Sequence, residues 1–280
     1  MDGQVGMSGF LDATAVKQVA DGRYEVELDG GYVIGTALNG GYLMAVLDKA
    51  VVAESPHEHP LSTAATFLRP AAAGRAEVLV ETVKVGRTAA TARASLVQGG
   101  ERLVEALIVT GTLGEGGEHE WRGEPPVPAL PPIESCPESM KQGPARVRGF
   151  ADRVDMRFDP STMRWLDGEP SGRLELRSWF RMADGTEPDP YVLAVAVDAL
   201  PPVATNIGST GWAPTVEMTW HLRELPAPGP LALYGSGRLV SGGWFDEEVE
   251  VWDSAGRLVA QSRQLARLSR AARGSRVSVM

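Results

Sequence analysis

The sequence predicts an α+β fold in which one unit, an antiparallel sheet wrapped around a single central helix, occurs twice. Three observations lead there. The chain divides into halves of similar length at a stretch rich in Pro, Gly and Glu, residues 114–143, whose composition suits a surface linker. Each half carries one run apolar on nearly every helical face, as a helix buried on all sides requires. After each run comes the same order of strand-like stretches and glycine turns, which marks an internal repeat.

The elements follow in order. Strand-like pieces open the first half at Tyr24–Leu28 and Gly31–Gly35. Asn39 is a favoured helix cap, and Tyr42–Ala53 supplies the buried helix. Beyond Phe67-Leu68-Arg69-Pro70 lie strand-like stretches at 76–85 and 88–98, the turn Gly99-Gly100, and Arg102-Leu103-Val104. The second half begins with strand-like Val154–Phe158 and Arg173–Met182. After Trp220-His221-Leu222-Arg223 come stretches at 231–240 and 245–253, the turn Ala255-Gly256, and Arg257-Leu258-Val259. An Arg-Leu-Val triplet after a Gly turn, at nearly matched distances in both halves, favours duplication over chance likeness between meanders. A sheet around one buried helix is the hotdog arrangement, here tandem. The expected boundaries are 1–113 for the first hotdog, 114–145 for the linker, and 146–280 for the second hotdog with a basic tail.

Composition narrows the class of protein. Hydrophobic content of 43% and charged content of 22% are globular values. A net charge of −9 argues against nucleic acid as partner, because a phosphate backbone asks for clustered Lys and Arg. The basic stretch Arg263–Arg276 reads as a solvated final strand and tail. Cys136 is the sole cysteine, so no internal disulfide forms. Met1–Phe10 lacks the pattern of a signal peptide, and no apolar run reaches the length of a membrane span. The expectation is a cytoplasmic setting without an integral membrane segment.

One carboxylate stands out. Asp198 is the only charge between Tyr191 and Ala204, in an otherwise apolar run. Burying it as an anion requires hydrogen-bond partners or a shifted pKa, which marks it as a candidate site residue. It is also a favoured helix cap, and a helix N-terminus stabilises a reacting anion. Pro201-Pro202 fit only a first helical turn, so the expected helix begins near Asp198 or Ala199. Residues 191–197 are then an approach segment or a short separate helix.

Four segments carry a family resemblance: Gly172–Met182, Val197-Asp198 through Ala204, Ala213–Arg223 with Thr215, and Gly256–Gln264. Asn39-Gly40-Gly41-Tyr42 and Phe67-Leu68-Arg69-Pro70 add to it in the first half. With these segments the chain resembles the double-hotdog acyl-CoA thioesterases of the thioesterase II type, over nearly its whole length outside the tails and linker. The resemblance implies an acyl-CoA substrate, no cofactor, and a water held jointly by Asp198, Thr215 and Gln264. Asn39, Gly40 and Gly41 are expected to bind substrate, with the glycines offering close backbone N–H groups to the oxyanion. Departures at Val216–Thr219 and after Gln264 bear on substrate preference. The uncovered edges of a hotdog sheet predict a homo-oligomer, dimer or higher.

Three further readings complete the expectation. Strict alternation sets Thr215 on the face of Glu217, Thr219 and His221, opposite Val216, Met218 and Trp220, unless the strand starts irregularly after Pro214. Val109 is expected at the first-half place of Gln264, and Asn39 near that of Asp198, so one active site per chain is predicted. His57-Glu58-His59 lacks a third metal ligand, and the chain has no nucleophile elbow, phosphate loop or dinucleotide fingerprint. Two alternatives remain. A hotdog enoyl-thioester hydratase or dehydratase uses a His shortly after the Asp, where this chain has Val203. A non-catalytic acyl-thioester binding protein would keep the pocket alone.

Overall fold

A computed structural model describes residues 9–114, 121, 129–138, 148–211 and 213–268. The first half comprises α1 (Phe10–Ala13), β1 (Lys17–Ala20), β2 (Arg23–Leu28), β3 (Val33–Ile34), β4 (Ala37–Leu38), α2 (Gly40–Glu54), β5 (His59–Phe67), β6 (Gly74–Val85), β7 (Ala90–Gln98) and β8 (Glu101–Gly111). The second comprises α3 (Arg148–Arg153), β9 (Val154–Phe158), β10 (Glu175–Met182), α4 (Pro190–Ala196), β11 (Thr215–Leu222), β12 (Leu231–Ser236), β13 (Val240–Ser241), β14 (Trp244–Trp252) and β15 (Leu258–Arg267). Most of the expected linker, and the end of the basic tail from residue 269, lie outside the described residues.

The two halves mirror one another. Their strands run β1-β2-β6-β7-β8-β5 and then β11-β15-β14-β12-β10-β9, with all the printed pairings antiparallel. Strands β5 and β11 pair with each other, Ser62 opposite His221 through Thr66 opposite Glu217. The two hotdog sheets are thereby joined edge to edge, and that pairing covers one edge of each. Glycine pairs at Gly99-Gly100 and Gly242-Gly243 have positive φ at both positions, the conformation tight hairpin turns demand.

The helices fill the space the sheets enclose. Nearly every side chain of α2 from Tyr42 to Val51 is buried, as its all-round apolar sequence requires. The Asn39 side chain caps α2 by accepting from the Tyr42 N–H at 2.9 Å. In the second half the helix is α4, and it precedes Asp198; no helix starts there. The Asp189 carboxylate accepts from the N–H groups of Tyr191 and Val192, and Pro190 occupies the first turn. This Asp-Pro start signal outweighs the one expected at Asp198. The short separate helix is thus the alternative that forms, and Pro201-Pro202 are followed by one 3-10 turn, Val203–Ile207.

The helices meet at a glycine. A Cβ on Gly41 would lie 2.4 Å from the Ala194 carbonyl oxygen and 2.9 Å from the Val195 Cα. Both obstacles are backbone, so neither can swing away. Gly41→Ala is expected to destabilise the fold by roughly 1–3 kcal/mol through overpacking. Chemical denaturation midpoints of the two proteins measure this.

Candidate active site

The α2–α4 crossing sets the first element of the site. Asp198 follows the end of α4 and projects at the N-terminus of α2, the helix of the other half. Its Oδ2 accepts from the Gly41 N–H at 2.8 Å and from Asn39 Nδ2 at 2.9 Å. Asn39 Nδ2 also donates to the Asp198 carbonyl oxygen at 2.9 Å. A helix N-terminus does stabilise this carboxylate, but it belongs to α2. Burial pushes the Asp198 pKa up to about 6, opposed by hydrogen bonds from Gly41, Gly40 and Asn39. Gly40 lines the cavity described below, while the Gly41 N–H is engaged by the carboxylate.

Strand β11 sets the second element. Thr215 pairs with Ala266, but the next pair is Glu217 with Leu265, so Val216 is an extra residue at a bulge. Ala266 and Gln264, two apart on β15, share the inward face, and Met218 sits opposite Gln264. The bulge therefore turns Thr215 to the same side as Met218, against strict alternation. Thr215 Oγ1 donates to Gln264 Oε1 at 2.5 Å. On the same face of β15, Ser262 Oγ donates to the Val197 carbonyl at 3.2 Å and ties the end of α4 to this strand.

Asp198, Thr215 and Gln264 line one cavity of about 880 Å³. Its wall is largely apolar, including Leu43, Phe67, Met163, Trp165, Leu200 and Phe245. Among the described residues the wall has one cationic side chain, Arg69, one anionic, Asp198, and no histidine. Residues 199–202 and 208–211 also line it. His57 is buried in the first half, with Nε2 3.0 Å from the Gly86 carbonyl oxygen, and His221 is exposed on β11. Among the described residues no group of His, Cys, Asp and Glu is arranged to hold a metal ion.

The register also locates the counterpart of this set in the first half. Strand β5 carries the matching bulge, between Pro60 and Ser62. Counted from the two bulges, Pro60 stands where Thr215 does and Thr63 where Met218 does. The cross-strand partner of Thr63 is Ile108, so Ile108, and not Val109, holds the place of Gln264. The place of Asp198 falls to Asp48, and not near Asn39: each Asp lies nine residues beyond a helix cap, Asn39 or Asp189. Asp48 is fully buried and accepts from Thr63 Oγ1 at 2.5 Å. It lines no described cavity.

Sequence reasoning missed two carboxyls. Asp48 could have been found from the cap-to-Asp spacing. The second, Glu247, lies opposite Gln264 on β14 and is 1% exposed. Its signal was the period-two series Phe245, Glu247, Val249, Val251, obscured by the neighbouring acids Asp246, Glu248 and Glu250.

The structure is an antiparallel double hotdog with a polar cluster on the wall of an apolar cavity. The comparisons agree. Residues 28–114 match the family described as acyl-CoA thioesterase N-terminal domain, and residues 133–268 match the acyl-CoA thioesterase C-terminal domain. The chain belongs to this acyl-CoA thioesterase family, of the thioesterase II type. A solved structure from Thermobifida fusca YX, provisionally named a thioesterase II, is 45% identical with a TM-score of 0.87, covering 95% of this chain and 99% of that one. An uncharacterised protein of Mycobacterium tuberculosis is 31% identical over 87% of this chain and 90% of its own. A hot dog fold protein of unknown function from Alicyclobacillus acidocaldarius shares the fold, with a TM-score of 0.81 at 21% identity over 94% of this chain and 99% of that one.

Asp48 carries a consequence for stability. Burial pushes its pKa up to about 7, opposed by the Thr63 hydroxyl. Between the ordinary carboxyl range and that value the native state holds a proton the unfolded chain has released. Stability therefore falls as pH rises through this window. Asp48→Asn is expected to reduce that fall, read as the change in denaturation midpoint between about pH 4 and pH 8.

Proposed function

We propose that this protein hydrolyses acyl-CoA to the free acid and CoA, using a water activated by Asp198, Thr215 and Gln264. The carrying observation is that these three side chains, from three elements, line one apolar cavity, with Thr215 and Gln264 already bonded. Family membership supports the thioester as substrate. The acyl chain lies along the apolar wall, and its carbonyl carbon faces Asp198.

In this reading Asp198 is the base. Its Oδ2 is held by Asn39 and Gly41, which leaves Oδ1 to accept from water. Thr215 gives its proton to Gln264, so its oxygen lone pairs are open to the same water. Both water protons then have acceptors, and the oxygen attacks the carbonyl carbon. One proton passes to Asp198. The C–S bond breaks as the tetrahedral intermediate collapses, and the CoA sulfur leaves with that proton. Asn39 and Gly41 thus hold the base, a different task from the substrate binding expected of them. Asn39 and Gly40 also line the cavity wall, so they border the substrate as well as the base. The first half keeps Asp48 but has Pro60 and Ile108 for Thr215 and Gln264, which supports one active site per chain.

Free-thiol release across a panel of acyl-CoAs tests the activity. Asp198→Asn is expected to lower turnover by roughly a hundredfold or more with the fold intact. Unchanged turnover would remove Asp198 from the mechanism. In the wild type, activity is expected to fall as pH drops below about 6, because protonation of Asp198 removes the base.

The site is paired with a proposed cytoplasmic homo-oligomer, since among the described residues no further strand pairs with β1 or β9 at the two ends of the sheet. Light scattering checks this: a mass near the 29.9 kDa of one chain would end the oligomer and leave the hydrolase reading untouched.

A further inference from the structure

Glu247 lies directly behind the proposed site. Phe245, two residues before it on β14, is on the cavity wall, but Glu247 is not. Its Oε2 accepts from the Val203 N–H at 3.0 Å, at the start of the 3-10 turn that follows Pro201-Pro202. Across the β14–β15 pair it stands directly opposite Gln264, and the Gln264 side-chain amide is near enough to favour the charged form of the carboxyl. The charges that bear on it are Asp198, beyond the end of α4, and Asp246, its neighbour on β14. Both are acidic. A buried carboxyl with two acids and no cation acting on it is costly, so a packing role alone explains it poorly.

The first half supplies an independent control. There the position matching Glu247 is Ala92, paired with Ile108. The carboxyl is present where the glutamine is present, and both are replaced by apolar side chains in the other half.

We propose that Glu247 is a positioning residue that fixes which end of the Gln264 amide faces Thr215. This rests on the hydrolase reading for its functional meaning, though not for its geometry. The amide has an acceptor end and a donor end. With its NH2 toward Glu247, Oε1 takes the Thr215 proton, and Thr215 is left as an acceptor for water. Protonated Glu247 would instead donate to Oε1 and turn the NH2 onto Thr215. The threonine proton would then point into the cavity, the wrong polarity for a water that must give up its own protons. Ionised Glu247 is the productive form. Burial, with Asp198 and Asp246 nearby and opposed by the Val203 N–H and the Gln264 amide, pushes its pKa up to about 8.

The test uses the full chain with Glu247→Gln and Glu247→Leu. The Gln264 side-chain NH2 resonances, assigned by their absence from Gln264→Leu, are followed by NMR from about pH 6 to pH 9. They are expected to shift with Glu247 ionisation in the wild type and to lose that shift in Glu247→Gln. In parallel, kcat is expected to fall about tenfold in Glu247→Leu at little change in KM. The wild-type rise in kcat between about pH 7 and pH 9 is expected to vanish in Glu247→Gln. Gln264 resonances that ignore both pH and the Glu247 substitutions would overturn the proposal. So would a loss of kcat that merely tracks the fraction folded. If a variant fails to fold, the wild-type titration still decides. If the wild type releases no thiol from any acyl-CoA, the hydrolase reading fails, while the NMR arm still reports whether Glu247 holds Gln264.

Discussion

The bond from the Gly41 N–H to Asp198 ties the structure together. It joins the start of one central helix to the end of the other, and so couples the two hotdogs at the cavity. Gly41 is a glycine because the α4 backbone occupies the space a Cβ would take. Asn39 serves both sides of this junction: its carbonyl oxygen caps α2 and its amide holds Asp198. A second tether, the Arg153–Asp29 ion pair with Arg153 over the Tyr32 ring, joins the halves on another face.

Duplication explains both what is shared and what differs. The two halves have the same strand order and the same bulge in the strand at their junction. In the second half that bulge turns a threonine toward the cavity. In the first it holds Pro60, which has no hydroxyl to offer. The aspartate survives in both halves, but in different surroundings. Asp198 opens onto the cavity, whereas Asp48 is sealed against Thr63 and faces the indole of Trp220. One scaffold thus holds a carboxyl at a cavity wall in one copy and a buried acid in the other.

Much of the site was legible because its chemistry is conspicuous. A lone Asp in an apolar run and glycines after a helix cap can be seen without coordinates, whereas Gln264 was marked by the family resemblance. The Thr215 phase was not legible, because a bulge depends on how two distant strands register. Glu247 was hidden for a similar reason: among four neighbouring acids, only the pleat tells which one points inward. The start of the second helix was misplaced because Asp189-Pro190 and Asp198 both carry start signals, and packing against α2 favours the first.

The sequence by itself determined the duplicated sheet-and-helix architecture and singled out the candidate aspartate, since apolar periodicity, turn chemistry and a lone charge in an apolar run are local patterns. The tertiary structure decided which helix stabilises that aspartate, which way Thr215 faces and which buried acid lies behind Gln264. Each of these depends on contacts between segments far apart in the chain, and such contacts leave no local pattern to read.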